Sequence, residues 1–109
     1  MSEYGIILTT VASESQGKEI AVALVEAKLA ACVNLFPVQS IYVWSGKTNC
    51  DAEYQLVIKT RLALVKEIVT KITALHDYDL PEIVTLPIID GSVDYLNWLG
   101  QMTSDSEKV

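Results

Sequence analysis

Two stretches with a helical hydrophobic period, set among four stretches with strand chemistry, constrain this chain most. Ile20, Ala23, Leu24, Ala27 and Ala31 recur at i, i+3, i+4, i+7 and i+11, one face of a helix. Val65, Ile68, Val69, Ile72 and Leu75 form a second such face. Ahead of the first, Ser13-Glu14-Ser15-Gln16 has the S-x-x-Q form of a capping box, in which serine and glutamine side chains satisfy free backbone amides. Residues 4–11, 31–44, 54–60 and 83–89 are rich in Ile, Val, Leu, Thr and aromatic side chains and read as strands. Ser45-Gly46-Lys47-Thr48-Asn49 is a turn that makes a hairpin of the middle two. Pro37 has no ladder donor, which predicts a bend or bulge; Pro87 puts the last strand at a sheet end or edge. Residues 93–99 read as a short helix with Gly100 as its stop. Residues 103–109 read as a frayed polar tail.

The order is β-α-β-β-α-β plus a terminal helix. It predicts an α+β, ferredoxin-like (split βαβ) antiparallel sheet with an additional short C-terminal helix. With 109 residues there is room for one domain, residues 1–102, followed by the tail. Right-handed crossovers place both helices on one face of the sheet. The other face stays open, yet the strands are apolar on both sides: Ile41 and Val43 alternate with Tyr42 and Trp44, and Ile83 and Ile89 with Val84, Leu86 and Ile88. The mean hydropathy of +0.30 records the same surplus. An open apolar face argues for a partner, most economically another copy of this chain.

Charge and motifs exclude several functions. Eight Lys and Arg against fourteen Asp and Glu leave a net charge of −6, which repels phosphate backbones and disfavours nucleic acid. Residues 20–36, the most apolar run, contain Glu26, Lys28 and Asn34, so no membrane span is expected. Met1-Ser2-Glu3-Tyr4 has no basic leader region. Two cysteines make no disulfide framework and fit a reducing, cytoplasmic compartment. No C-x-x-C, Walker loop, G-x-G-x-x-G or H-E-x-x-H is present, and no Ser-His-Asp or Cys-His pair has interpretable spacing. The expectation is a protein that is not an enzyme and needs no cofactor.

Some residues remain open to two readings. His76, the only histidine, suits a helix C-terminus or a metal ion, with Asp77, Asp79 and Glu82 offering oxygen ligands nearby. Cys32, after Ala30-Ala31, reads as a buried structural thiol, and Cys50, beside Asn49 and Asp51, as an exposed one. Trp44 is a packing residue or a stacking platform. Lys59 is a solvated charge or, facing a cleft with Glu82, an anion anchor.

Five segments carry a specific resemblance. Leu29-Ala30-Ala31-Cys32-Val33-Asn34, Tyr42-Val43-Trp44-Ser45-Gly46-Lys47, Ile58-Lys59-Thr60, His76-Asp77-Tyr78-Asp79-Leu80-Pro81-Glu82 and Gly91-Ser92-Val93-Asp94-Tyr95-Leu96-Asn97-Trp98-Leu99 occur in the order found in the CutA divalent-cation-tolerance proteins, which this chain resembles from Ile6 to Leu99. The resemblance implies a ferredoxin-like homotrimer, similar to PII signalling trimers, in the cytoplasm and linked to tolerance of divalent metals, copper above all. It places Trp44, Lys59, His76, Tyr78 and Glu82 in motif segments. Our expectation is one cleft at a subunit boundary: Lys59 holds an anionic group, Glu82 pairs with it or with a cation, Trp44 and Tyr78 form walls, and His76 binds copper or another divalent ion. The alternative is a PII-like regulator that takes a small anionic metabolite there. Asp77 stands where the family has proline. Thr9 and Leu75 stand where some members place copper-binding cysteine and histidine.

Overall fold

The computed structural model describes residues 2–103. In chain order the elements are β1 (Tyr4–Val11), α1 (Glu14–Glu26), β2 (Cys32–Trp44), β3 (Lys47–Arg61), α2 (Val65–Leu75), β4 (Val84–Pro87) and α3 (Val93–Met102). A single 3-10 turn, Leu62–Leu64, precedes α2. The strands form one antiparallel sheet in the order β2-β3-β1-β4, the ferredoxin-like arrangement.

The helical periodicities become the core. Ile20 and Leu24 of α1 and Ile68 and Ile72 of α2 pack with Ile7, Val11, Leu56 and Ile58, and all eight are fully buried. At the start of α1 the Ser13 hydroxyl accepts the Gln16 N–H at 3.2 Å, the serine half of a capping box. Gln16 does otherwise than the motif predicts. Its Oε1 accepts the Asp77 N–H at 2.8 Å, so it ties the start of α1 to the chain leaving α2.

The β2–β3 hairpin departs from the sequence expectation in two ways. Its register runs unbroken from Cys32↔Lys59 to Trp44↔Lys47, so Pro37 makes no bulge. β2 is an edge strand, and there a missing N–H costs no ladder bond. The turn takes only Ser45 and Gly46, both with positive φ (54° and 75°), as a tight two-residue hairpin requires. β3 therefore begins at Lys47 rather than at residue 54. Thr48, Asn49 and Asp51 look like loop residues by composition but pair with the apolar run of β2. Because β1 ends at the pair Val11↔Tyr54, residues 38–44 and 47–53 continue beyond the sheet as a two-stranded ribbon. The molecule is 49 Å long and 26 by 21 Å across.

β4 is shorter than expected and lies at the other edge, as Pro87 requires. α3 runs through Gly100, which is not a stop. A Cβ there would sit 2.8 Å from the Tyr4 hydroxyl and 3.2 Å from the Arg61 guanidinium, whose Nη2 donates to the Gly100 carbonyl at 3.0 Å. Close approach, not termination, explains this glycine. Thr103, the first residue of the expected frayed tail, is buried and its hydroxyl donates to the Leu99 carbonyl at 2.8 Å; residues 104–109, the rest of that expectation, lie outside the described residues.

Gly5 is the tightest glycine. A Cβ at this position would lie 2.4 Å from Leu62 Cδ2 and 3.0 Å from the Leu86 carbonyl oxygen. The leucine tip can move but the paired backbone of β4 cannot move freely, so Gly5→Ala is expected to cost about 2 kcal/mol through overpacking. Urea unfolding checks this, and an unchanged midpoint would show that β4 yields.

Candidate functional site

The site grows from the end of α2. The His76 N–H donates to the Ile72 carbonyl at 2.8 Å, and the chain then turns out of the helix. The imidazole is buried. Its Nδ1 accepts the Tyr78 N–H at 3.1 Å, so Nε2 carries the proton and donates to the Thr10 carbonyl at 2.8 Å. The ring lies 4.8 Å from that of Tyr78, centroid to centroid. Both nitrogens are thereby used, and His76 clamps the end of β1 to the loop following α2.

That loop faces the ribbon across a cavity of about 800 Å³. Tyr42, Trp44, Asp51 and Glu53 line it from the ribbon, and Asp77, Tyr78, Asp79 and Glu82 from the loop. Glu53 is only 9% exposed and accepts the Tyr78 hydroxyl at 2.6 Å. Across from it the Tyr42 hydroxyl donates to the Asp51 carboxylate. Five carboxylates line the cavity and no lysine or arginine does. The two ion pairs of the described residues, Lys18–Glu14 and Arg61–Glu3, lie elsewhere.

Both phenols are held neutral. Burial, then the hydrogen bond to Glu53, pushes the Tyr78 pKa well above the ordinary value of 10; the Asp51 hydrogen bond chiefly raises that of Tyr42. A raised folded pKa gives stability that is complete below the unfolded value and is lost as pH climbs toward the folded one. Stability is therefore expected to fall from about pH 10 upward, where the unfolded phenols ionise first. Tyr78→Phe is expected to flatten that decline in an unfolding series across alkaline pH; an unaltered slope would separate Tyr78 from it.

Three of the expected cleft residues, Trp44, Tyr78 and Glu82, come together here. Lys59 does not. It lies on β3 opposite Ile6 and Cys32, and its Nζ donates to the Asn34 side-chain carbonyl. Six residues of extended strand separate it from Glu53, about 20 Å, so within one chain it lies away from Glu82 and the cavity. Cys32 is partly exposed in the single chain, on the sheet face away from α1 and α2, and Cys50 is exposed on the ribbon. Sequence reasoning missed Tyr42, Asp51 and Glu53 as partners. The signal was available: a two-residue turn at Ser45-Gly46 sets Ser40 opposite Asp51 and Tyr42 opposite Asn49, which puts Tyr42 diagonal to Asp51.

The residues present do not fit the copper centre that the family resemblance implied. Leu75 offers no ligand atom, Thr9 is fully buried with its hydroxyl unpartnered, and both His76 nitrogens are hydrogen-bonded. Among the described residues no three His, Cys, Asp or Glu side chains converge as a metal site. A second cavity, about 480 Å³, is lined by Tyr4, Arg61, Asn97, Gly100 and Gln101, but its guanidinium is already committed to Glu3 and to Gly100. None of the described helices is long and apolar enough to cross a membrane.

Comparison with known proteins gives a consistent result. The family model described as CutA1 divalent ion tolerance protein matches residues 5–102. The divalent-cation tolerance protein CutA of Thermus thermophilus is 46% identical over 99 residues, covering 90% of this chain and 96% of that protein. The chloroplastic protein CutA of Arabidopsis thaliana is 43% identical over 99 residues, 90% of this chain, which spans 54% of that longer protein's length. The crystal structure of CutA1 from Oryza sativa superposes with a TM-score of 0.92 at 40% identity, covering 96% of this chain and 97% of the other.

Proposed function

The chain belongs to the CutA1 divalent ion tolerance protein family, and from that premise we propose that it is a non-enzymatic cytoplasmic homotrimer that supports tolerance of divalent metals, copper first among them. The family match across residues 5–102 carries the metal reading. Cells lacking the gene are expected to grow poorly in copper and to recover when this chain is expressed. A chain that assembles normally yet restores no growth overturns the reading.

The trimer rests on what one copy leaves uncovered. Ile41, Val43 and Trp44 on the ribbon are 71, 69 and 63% exposed, and Val84 and Leu86 on β4 are also exposed. A two-stranded ribbon is marginal in water on its own, and both sheet edges are free to pair with another copy. The sheet face away from α1 and α2 is crossed by α3 at its Tyr4 and Arg61 end, and the part with Ile6, Leu8, Cys32, Phe36 and Val57 around Lys59 supplies further apolar surface for such a contact. Native mass spectrometry is expected to give three copies; a monomer as the main micromolar species sinks the assembly. Within it, Cys32 is expected to resist a thiol reagent while Cys50 reacts. The cavity within one chain does not suit an anionic metabolite, since five carboxylates line it and Lys59 is not among its residues.

A further inference from the structure

Between β4 and α3 the chain runs through Ile88-Ile89-Asp90-Gly91-Ser92 without a regular element. Both ends of this stretch are fixed. The Ile88 N–H donates to the Tyr4 carbonyl at 3.0 Å. Ser92 caps α3: its carbonyl accepts the Leu96 N–H at 2.9 Å and its hydroxyl the Tyr95 N–H at 3.3 Å. Between these ties Ile89, Asp90 and Gly91 are exposed. The Gly91 N–H turns onto the side chain of Asp90, with the nitrogen 2.8 Å from Oδ1. The carboxyl carbon is one bond of about 1.2 Å further, so it lies within about 4 Å of that nitrogen, close to the separation from which a bond forms. Asp90 is the one aspartate of the chain that glycine follows, and glycine leaves its nitrogen unshielded and its backbone free to rotate. Among the described residues no other aspartate is so placed. The Tyr78 N–H after Asp77 is held by His76 Nδ1, Ala52 after Asp51 lies in the ladder opposite Gln39, Asp94 is in the first turn of α3, and Asp79 is followed by the branched Leu80.

We propose that Asp90–Gly91 is a site of aspartate isomerisation, and that the isomerised bond unseats the cap of α3. The Gly91 nitrogen bonds to Asp90 Cγ. One carboxyl oxygen leaves as water, taking one proton from the amide and one from the acid, and a five-membered imide closes. Water then reopens the ring. Opening at the Asp90 α-carbonyl sends the main chain through Cβ and Cγ and frees the α-carboxylate; nothing is oxidised or reduced. The main chain then has one more carbon between Ile89 and Gly91, which moves Ser92 away from the Tyr95 and Leu96 N–H groups. The proposal does not depend on the metal reading.

The test is to age the full chain, in its native assembly, at physiological temperature and pH beside a synthetic peptide of residues 86–96. Electron-transfer fragmentation distinguishes isoaspartate from aspartate at each position. Isoaspartate is expected to accumulate at position 90 at least as fast in the native chain as in the peptide, and faster than at any other aspartate of the chain. Gly91→Ala is expected to slow it about tenfold, because a methyl group shields the nitrogen and narrows the backbone's range. That variant keeps the fold, since the new Cβ would meet Leu96 Cδ1 at 3.5 Å, an ordinary contact. Asp90→Glu, which could close only a six-membered ring, is expected to leave no measurable isomer there. Amide exchange in α3 is expected to quicken in the aged parent and to stay unchanged in aged Asp90→Glu. The proposal is overturned if the native chain isomerises at position 90 more slowly than the peptide, if Gly91→Ala ages as the parent does, or if isomerised chains keep the α3 exchange of fresh ones.

Discussion

His76→Ala is expected to destabilise the fold by about 3 kcal/mol while leaving copper affinity where it was. The stability loss follows from the two bonds the ring makes. Removing it strands the Thr10 carbonyl at the end of β1 and the Tyr78 N–H in the loop, each worth about 1 to 3 kcal/mol when left unpaired in a buried place. The cavity left by the ring adds to that. The copper result follows from the same geometry. To ligate a metal, a nitrogen of His76 must abandon one of those partners, and neither Thr9 nor Leu75 offers a second ligand beside it. Chemical denaturation at matched protomer concentration reads the first effect, since an assembled protein's stability depends on concentration. Calorimetric copper titration of the folded variant reads the second. His76→Gln, which keeps a donor and an acceptor, is expected to recover part of the loss. A loss under about 1 kcal/mol would remove the clamp from the account. A tenfold fall in copper affinity would restore His76 as a ligand.

The order of elements was legible because helix and strand periods differ: Ile20 and Leu24, and Ile68 and Ile72, lie buried on helix faces, although α1 stops at Glu26, so that Ala27 is its exposed cap and Ala31 lies beyond it. The ribbon was not. Thr48, Asn49 and Asp51 have loop-like side chains, and only the opposing Ile41-Tyr42-Val43-Trp44 run makes them strand. Strand propensity on an exposed ribbon is decided across the ladder rather than along it. Gly100 misled for a related reason. A glycine after an apolar run reads as a helix stop, and only the approach of Tyr4 and Arg61, nearly a hundred residues and about forty residues away in sequence, shows otherwise. The site was half legible. Trp44, Tyr78 and Glu82 share the cavity, as their motif segments implied, but pairing Lys59 with Glu82 needed a distance that sequence does not carry. Asp51 and Glu53 escaped notice because acidic residues within a presumed turn are ordinarily solvated surface.

Replacing Ile41 and Val43 together by aspartate is expected to turn the assembly into monomers at micromolar concentration. These side chains lie 71 and 69% exposed near the ribbon tip, where no third strand of the same chain reaches them. If neighbouring copies cover them, each loses roughly 1.5 to 3 kcal/mol of burial on substitution. Each new carboxylate also loses hydration when the contact closes, and the residues directly opposite Ile41 and Val43 on the ladder, Cys50 and Thr48, carry no positive charge to receive it. A cyclic trimer repeats the same contact three times, so the penalty per assembly is on the order of 10 kcal/mol or more, enough to shift the equilibrium by many powers of ten. The isolated fold keeps its core, because Ile7, Leu56, Ile58 and their helix partners lie beneath α1 and α2, away from the ribbon. Its far-ultraviolet dichroism is therefore expected to stay near that of the parent while sedimentation reports one copy. Val22→Asp serves as the control: Val22 is 52% exposed on α1 and a lone surface change there is expected to move stability by no more than about 0.5 kcal/mol. A double variant that still sediments as a trimer would place the ribbon tip in solvent and require the open sheet face alone to hold the copies together.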